Sequence, residues 1–390
     1  MRKLYLIASA IILLTPAHSQ SAKKDVSNAK GEWFAYVGTY TRQNSKGIYA
    51  YRFRPSSGEV TEIGLAAETE SPSFLAVHPN HQFVYSANEV ANFEGQKAGA
   101  ISAFANEAST GKLKFLNRVS SKGAGPCHVA LDHTGKWLIA ANYDGGSVAL
   151  FPVHTDGTLG EASSFIQHSG SGANSQRQST PHAHYATVSP DNRFVLVADL
   201  GLDEFLIYNL DRNKGTLTPH DPPFAKVKPG SGPRHGAFRP DGKFFYGLNE
   251  IVPSVVAFRY NAAKGSLEEL QTISTLPDDY TGNKSGAEIV AHPSGKFLYS
   301  SNRGHNTIAM FQIDAAKGTL TAGNRTPTEG RTPRNFAIDP TGNWLFAANQ
   351  DTNNIALFRI DQKTGALTSS GKVIQVPIPV CVVFSPAPQH

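Results

Sequence analysis

Histidine and charged side chains recur at one end of a repeated strand in this sequence, and they are residue types that can carry out chemistry. An arginine guanidinium stays charged and is shaped to bind a carboxylate, a phosphate or an oxyanion. Histidine and glutamate can exchange protons with a bound molecule. The strand leads into a turn of the type His-Pro-x-Gly-Lys, whose anchor residues are Pro79, His133, Pro190, Pro240, Pro293, Pro340 and Pro386.

Three positions relative to these anchors differ from repeat to repeat. Five residues before the anchor stand Phe74, His128, Tyr185, His235, Glu288, Asn335 and Cys381. Six residues before it stand Ser73, Cys127, His184, Arg234, Ala287, Arg334 and Val380. Ten residues after it stand Glu89, Tyr143, Leu200, Glu250, Arg303 and Gln350.

The residues two before the anchor are all apolar, by contrast, as the packing of a strand requires: Val77, Leu131, Val188, Phe238, Ala291, Ile338 and Phe384. Charged groups among such strands are costly to desolvate unless they are paired. The polar set is therefore either a binding or catalytic site, or a ring of structural ion pairs that caps a channel.

The elements that must position this set form a sevenfold repeat. Seven hairpins share an apolar alternating strand followed by a turn glycine, at Gly58, Gly111, Gly157, Gly215, Gly265, Gly318 and Gly365. Each unit reads as four antiparallel strands, and one such sheet cannot bury both of its faces alone. We therefore predict an all-β fold, a seven-bladed β-propeller with four strands per blade.

The two ends of the chain indicate how the ring closes. Three strands from Trp33 onward have no inner strand before them, and the inner strand VPIPVCVVFSP near the carboxyl end has nothing after it. We expect these strands to share one blade. The expected organisation is a signal peptide at 1–19, a linker at 20–32, a single propeller domain at 33–386 and a short tail at 387–390.

The amino-terminal segment has the features of a secretory signal peptide. Arg2 and Lys3 precede the apolar run from Leu4 to Leu14, and Ala17-His18-Ser19 supplies small residues for cleavage. The run is too short to span a bilayer comfortably. We therefore expect an exported protein, periplasmic or secreted, that does not bind the membrane after cleavage; an uncleaved anchor is the alternative.

Composition and charge exclude several classes of protein. The chain has 390 residues, 40% of them hydrophobic and 17% charged, which is unlike a disordered or coiled-coil protein. Its net charge of +5 falls by two when Arg2 and Lys3 are removed and is not clustered, so no nucleic-acid partner is expected. Cys127 and Cys381 lie in different repeats and are predicted to be free, buried thiols. We expect a monomer.

Several long motifs resemble the seven-bladed lactonase family, which contains the propeller-type 6-phosphogluconolactonases and a fungal carboxymuconate-lactonizing enzyme. The motifs are GPCHVALDHTGKWLIAANYDGGSVALF, TPHAHYATVSPDNRFVLVADLG, SGPRHGAFRPDGKFFYGLNE, SGAEIVAHPSGKFLYSSNRGHNTIAMF and TPRNFAIDPTGNWLFAANQ. The resemblance covers about residues 33–386 and implies hydrolysis of a sugar lactone. It implies the catalytic set His184, Arg234, Glu250 and Arg303. The export signal departs from the cytosolic sugar-phosphate enzymes and puts a phosphorylated substrate in doubt.

Lactone opening requires a base for water and donors for the oxyanion at the carbonyl. Arg234 and Arg303 are candidate donors, and either Glu250 or His184 could take the proton. We favour His184, with Glu250 orienting it or an arginine. The expected substrate-binding residues are His128, His182, His235, Glu288, Arg334 and Asn335, together with Arg177 in the loop from His168 to Pro181, which is expected over the mouth as a lid or a solvated segment.

Other functions remain as alternatives. His182 and His184 could share a strand face and bind a metal, but no acidic cluster joins them, and we expect no metal and no cofactor. No Gly-x-Ser-x-Gly, His-Glu-x-x-His or glycine-rich phosphate loop occurs in the sequence. A propeller that only binds a protein or a glycan, and a muconate-type cycloisomerase, are the two rival hypotheses.

Overall fold

The computed structural model describes residues 31–388, which form seven four-stranded antiparallel sheets arranged in a ring. The amino-terminal strands β1 (Trp33–Thr39), β2 (Gly47–Arg54) and β3 (Glu59–Glu68) belong to blade 7. Blade 1 comprises β4 (Pro72–Val77), β5 (Phe83–Asn88), β6 (Ala100–Glu107) and β7 (Lys112–Ser120). Blade 2 comprises β8 (Pro126–Leu131), β9 (Trp137–Asn142), β10 (Ser147–Pro152) and β11 (Ser164–Gln167).

The remaining blades follow the same order from the channel outward. Blade 3 comprises β12 (Ala183–Val188), β13 (Phe194–Asp199), β14 (Glu204–Asp211) and β15 (Thr216–Lys226). Blade 4 comprises β16 (Pro233–Phe238), β17 (Phe244–Asn249), β18 (Ser254–Asn261) and β19 (Ser266–Ser274). Blade 5 comprises β20 (Ser285–Ala291), β21 (Phe297–Arg303), β22 (Thr307–Ile313) and β23 (Leu320–Pro327). Blade 6 comprises β24 (Pro333–Ile338), β25 (Trp344–Asn349), a 3-10 turn (Gln350–Thr352), β26 (Asn354–Ile360) and β27 (Leu367–Gln375).

The last strand, β28 (Pro379–Pro386), closes the ring as the inner strand of blade 7. It pairs antiparallel with β1, with Trp33 opposite Pro386 and Val37 opposite Val382. The predicted all-β fold, a seven-bladed propeller whose terminal strands share one blade, is therefore confirmed.

The second strand of each blade is buried on both faces because the neighbouring blades cover it. All six residues of β5 and of β13 are buried. Tyr85 of blade 1, for example, belongs to the same apolar cluster as Leu138 of blade 2. This explains why these strands are continuous apolar runs rather than alternating ones.

The seven hairpin glycines lock each blade to its neighbour. Each has a positive φ, as at Gly215 with φ 66°, a conformation that glycine adopts without steric cost. A Cβ added to Gly215 would collide with the ring of Trp137 in the preceding blade. The other six glycines pack in the same way against Phe34, Phe83, Phe194, Phe244, Phe297 and Trp344. The glycine that makes the turn therefore also makes room for an aromatic ring.

Two further sequence predictions concern the cysteines and the amino terminus. Cys127 and Cys381 are free and buried, as predicted. The proposed signal peptide and most of the linker lie outside the described residues. Within residues 31–388 there is no helix with the length and apolar character to cross a bilayer.

Candidate active site

A β-bulge at the mouth end of each inner strand positions the variable residues. The register of β12 against β13 shifts between Ala183 and Tyr185, which leaves His184 as the extra residue. A register shift includes the residue six before the anchor in every other blade: Ser73, Cys127, Arg234, Ala287 (here together with Glu288), Arg334 and Val380. A bulge changes the direction of a side chain and interrupts the alternation of side chains between the two faces of the strand. Adjacent residues such as Arg234 and His235 can therefore both face the channel.

Glu250 lies at the mouth and forms ion pairs with three arginines. Arg234 Nε lies 2.9 Å from Glu250 Oε2, and Arg303 lies 2.8 Å from the same oxygen. Arg177, from the loop between β11 and β12, lies 2.6 Å from Glu250 Oε1. The structure thus brings Arg234, Glu250 and Arg303 together, as the sequence analysis expected, and adds Arg177 to them.

The environment of Glu250 makes it a poor proton acceptor. Burial alone would raise the pKa of Glu250, but Arg303, Arg234 and Arg177 together hold this pKa far below its usual range. No hydrogen bond joins Glu250 to His184 in the described residues. Of the roles expected for Glu250, these contacts favour the orientation of an arginine.

His184 is a buried imidazole at the mouth with a ring nitrogen that no described protein group occupies. Its side chain is buried, and its Nδ1 has no hydrogen-bond partner among residues 31–388. Burial, followed by the charges of Arg234 and Arg334, keeps the pKa of His184 well below its ordinary value, so the ring is neutral at neutral pH. The thiol of Cys127 lies 3.4 Å from the His184 carbonyl oxygen and braces the bulge.

The mouth opens into a chamber of about 330 Å³. Its lining residues are Glu89, Cys127, Tyr143, Arg177, His184, Glu250, Ser285, Arg303 and Arg334. Three arginines against two glutamates leave one positive charge in excess on these walls. Arg303 is held by Glu250, by Ser285 Oγ at 2.7 Å and by the Gly286 carbonyl at 2.8 Å.

Arg334 differs from the other arginines of the mouth because it forms no ion pair and no hydrogen bond with the residues that the structure describes. Its guanidinium lies 5.3 Å from the centroid of the Tyr40 ring. Burial alone would lower the pKa of Arg334, but Tyr40, Glu89 and Glu250 raise it above its ordinary value. Arg334 therefore presents a charged guanidinium, free of a protein anion, to the chamber.

A second polar cluster lies in a narrow cavity of about 10 Å³ next to the chamber. His235 Nδ1 lies 2.8 Å from Glu288 Oε1, and Asn335 Nδ2 donates to Glu288 Oε2 at 2.6 Å. Burial raises the pKa of Glu288 to about 7, although the Ile289 amide and Arg234 act in the opposite direction. His235 and Glu288 line this narrow cavity.

Three of the residues expected to bind substrate lie outside both cavities. His128 packs against Phe74, with ring centroids 4.0 Å apart. Asn335 donates a hydrogen bond to Glu288 and accepts one at its Oδ1 from the Val382 amide. His182 Nδ1 lies 3.0 Å from the Tyr143 carbonyl oxygen. Their hydrogen-bonding groups or ring faces are engaged by protein, so they support the site rather than line it.

The loop from His168 to Pro181 is fixed over the mouth at both ends. His168 Nδ1 lies 2.6 Å from Asp199 Oδ2, and Tyr208 Oη lies 3.0 Å from His168 Nε2. Gln178 Nε2 donates to Asp203 Oδ1 at 2.7 Å. Arg177 is thereby directed to Glu250 on the wall of the chamber. The loop is an anchored lid.

The metal alternative depended on His182 and His184 sharing one strand face. His182 lies before β12 and stacks on Tyr143, whereas His184 is the extra residue of the bulge. Residues 31–388 contain no cluster of three His, Cys, Asp or Glu side chains placed to hold a metal ion.

Comparison with known proteins decides the family. The family model described as "Lactonase, 7-bladed beta-propeller" matches residues 34–384. The chain belongs to this lactonase family. It is 38% identical over 353 residues to the 6-phosphogluconolactonase of Bacillus subtilis, covering 90% of this chain and 98% of the relative.

Solved structures agree with this membership of the lactonase family. A Bacteroides fragilis protein is 41% identical and superposes with a TM-score of 0.85, covering 92% of this chain and 99% of that one. The periplasmic gluconolactonase of Pseudomonas aeruginosa is 30% identical, with a TM-score of 0.86, covering 92% of this chain and 100% of that one.

Four residues at the mouth of this lactonase-family site were not selected from the sequence: Glu89, Tyr143 and Ser285 line the chamber, and Tyr40 contacts Glu89. Glu89 and Tyr143 stand ten residues after their anchors, beside Glu250 and Arg303 in the repeat, and this position could have identified them. Tyr40, which bonds Glu89 at 2.9 Å, is the equivalent residue of blade 7, but ring closure places it at the opposite end of the sequence from its anchor. Ser285 precedes the variable positions, and no signal in the repeat marks it.

Proposed function

We propose that the protein hydrolyses the internal ester of a sugar lactone of the gluconolactone type at the channel mouth. Lactone hydrolysis is the activity in the names of the Bacillus subtilis and Pseudomonas aeruginosa relatives. The observation that carries the proposal is the placement of a neutral imidazole, His184, and an unpaired guanidinium, Arg334, on the walls of one chamber. A base and a fixed positive charge are the two elements that ester hydrolysis requires.

The proposed reaction uses these groups in sequence. His184 takes a proton from water as the water oxygen bonds to the lactone carbonyl carbon. Arg334 and the Glu250-bound arginines stabilise the negative charge that develops on the carbonyl oxygen. The bond from this carbon to the ring oxygen then breaks, and the ring oxygen takes the proton. The product is an open-chain hydroxy acid.

Glu250 contributes by holding charge in place. Its carboxylate fixes Arg234 and Arg303 from neighbouring blades at hydrogen-bonding distance. Guanidinium groups that are already oriented need little rearrangement when charge develops. Glu250 is therefore proposed as a positioning residue.

The Cys127 thiol is not proposed as a nucleophile. Burial, followed by the charge of Glu89, raises the pKa of Cys127 well above its ordinary value, so the thiolate is not formed at neutral pH. A thiolate is the form that attacks carbonyl carbon.

We also propose export of the protein, with cleavage after Ser19. The support is the basic, apolar and small-residue order of the first 19 residues, and the periplasmic location in the name of the Pseudomonas aeruginosa neighbour. Mass spectrometry of the protein recovered from a bacterial host should give an amino terminus at Gln20. A cytoplasmic protein that retains Met1 would contradict export.

A lactone panel tests the activity. Acid release from gluconolactone, its 6-phosphate and a second aldonolactone is measured at constant pH, with wild type and Arg303→Ala. We expect wild type to exceed the spontaneous rate and Arg303→Ala to lose most of the acceleration. Comparison of KM with and without phosphate shows whether the mouth recognises phosphate. Spontaneous rates for every lactone would favour a propeller that only binds its ligand.

A further inference from the structure

The narrow cavity beside the chamber is built to hold one water molecule. Its volume of about 10 Å³ is that of a single water site. Three buried side-chain atoms of its lining residues lack a protein partner: Ser73 Oγ, His184 Nδ1 and His235 Nε2. Buried polar atoms are rarely left unpaired, and a buried water typically makes about three hydrogen bonds.

Beyond this site lies a carboxylate–imidazole pair in a fixed orientation. Glu288 Oε1 accepts from His235 Nδ1 at 2.8 Å, which leaves His235 Nε2 as the acceptor. Glu288 is held in turn by the Ile289 amide at 2.9 Å and by Asn335 at 2.6 Å. The rings of His184 and His235 have centroids 5.2 Å apart.

We propose that a water in the narrow cavity links His184 to the His235–Glu288 pair, and that this relay receives the proton that His184 takes during hydrolysis. The inference rests on the proposed function. It gives roles to His235 and Glu288, which the proposed hydrolysis by His184 and the arginines does not itself require. His184 takes a proton at Nε2 and gives one from Nδ1 to the water. The water gives one to His235 Nε2, and His235 gives its Nδ1 proton to Glu288 Oε1. The reverse path returns the proton to the ring oxygen.

The electrostatics of the channel explain why a relay is required. His184 lies close to Arg234 and Arg334, so a proton that stays on its ring adds a third positive charge to the same desolvated region. Transfer to Glu288 instead neutralises a buried carboxylate. The relay therefore moves the proton from an unfavourable position to a favourable one.

The titration of Glu288 depends on groups from five strands around it. Its titratable, charged and hydrogen-bonding neighbours are Arg234 and His235 on β16, His128 on β8, Tyr185 on β12, Asn335 and Arg334 on β24, and Cys381 on β28. The histidines and the thiol are neutral near pH 7, because burial lowers the pKa of His128 and His235 and raises that of Cys381. Glu288 is thus the group of this cluster whose charge changes near neutral pH.

The first test is the pH profile of Glu288→Gln. In wild type, the pH profile of kcat should have a rising limb around pH 7, because Glu288 loses its proton there and can then accept one from His235. In Glu288→Gln this limb should be absent and kcat should fall about 10²-fold, while KM stays within about twofold of the wild-type value. Asn335→Ala should move the limb to higher pH, since its amide stabilises the charged carboxylate.

The matched control is Glu204→Gln. It removes a carboxyl that lies outside both cavities and whose pKa is also raised by burial. An unchanged limb in Glu288→Gln overturns the relay.

The second test does not depend on turnover. A high-resolution crystal structure of the protein should show an ordered water within hydrogen-bonding distance of His184 Nδ1 and His235 Nε2. Infrared difference spectra between about pH 6 and about pH 8 should show a protonated carboxyl that is absent in Glu288→Gln. No water at this position overturns the relay even if the lactonase is active. A water and a titrating carboxyl in a protein without lactonase activity would instead contradict the proposed function alone.

Discussion

Arg234 Nε and Glu250 Oε2 lie 2.9 Å apart with side chains that are only 2% and 7% exposed. The pair joins the inner strand of blade 4 to the loop that follows its second strand. The ion pair is deeply buried, and Arg303 and Arg177 share the same carboxylate. Breaking such a pair leaves an unpaired buried charge, which makes the mouth important for folding as well as for chemistry.

Glu250→Gln is expected to destabilise the fold. The substitution leaves Arg234 and Arg303 without an anion in a buried site, and we expect a loss of about 3–5 kcal/mol in the free energy of unfolding. Urea unfolding followed by tryptophan fluorescence measures it. The control is Glu59→Gln, whose partner Arg54 is 49% exposed, so its loss should leave the free energy of unfolding nearly unchanged. Equal effects of the two substitutions would contradict the account.

Arg334→Gln is expected to separate activity from stability. Arg334 has no anionic partner within 4 Å among the described residues, so its removal breaks no direct ion pair. We expect kcat/KM for the lactone to fall about 10²- to 10³-fold, as for loss of one donor to an oxyanion. The melting temperature should stay within a few degrees of wild type. A variant that unfolds, or one with full activity, would show that Arg334 is a structural residue.

Stability should fall as the pH is lowered below about 6.5. Burial lowers the pKa of His128, His184 and His235, so the unfolded chain binds protons that the folded protein excludes. Each histidine then costs about 1.4 kcal/mol per pH unit. Glu288 acts in the opposite direction, since its raised pKa lets the folded state bind a proton more readily. Within this cluster three groups oppose one, and His81, His292 and His305, whose pKa burial also lowers, add to the net loss of stability with falling pH.

The pH dependence is measured by urea unfolding at about pH 7 and about pH 5.5. His128→Asn should reduce the difference, because one of the excluded protons no longer contributes. Equal stability at the two pH values would mean that these histidines are not held neutral.

Gly215→Ala tests the contact that joins the blades. The substitution combines a positive φ with a clash against Trp137, and we expect a loss of about 2–5 kcal/mol in the free energy of unfolding. Gly371→Ala is the matched control, because Gly371 has φ 69° but open space around a new Cβ. It should cost only the backbone strain, about 1–2 kcal/mol. Similar losses for both variants would show that the contact with the Trp137 ring does not contribute to the stability of the fold.

The sevenfold repeat made the fold predictable from the sequence. Turn glycines such as Gly215 and anchor prolines such as Pro240 recur with a regular period, and a missing inner strand at one end matches a surplus one at the other. The convergence of Arg234, Glu250 and Arg303 follows from the antiparallel order of β16 and β17 and of β20 and β21. These relations need no knowledge of side-chain contacts.

The roles within the site could not be predicted in the same way. A bulge is invisible in the anchor spacing, so it was not evident that His184 is the extra residue of its strand. The spacing also gave no sign that Arg177 reaches Glu250 from a lid loop, or that Arg334 lacks an anion. Each of these facts depends on which side chains meet across blades, and the repeat pattern describes only one blade at a time.

The most direct measurement of the central claim is kcat for lactone opening by His184→Gln. If His184 is the base at the mouth, kcat should fall about 10²- to 10⁴-fold with little change in KM, while His154→Gln, which alters an exposed histidine on an outer turn, should match wild type. A His184→Gln protein that is folded and opens the lactone at the wild-type rate would contradict the assignment of catalysis to this chamber.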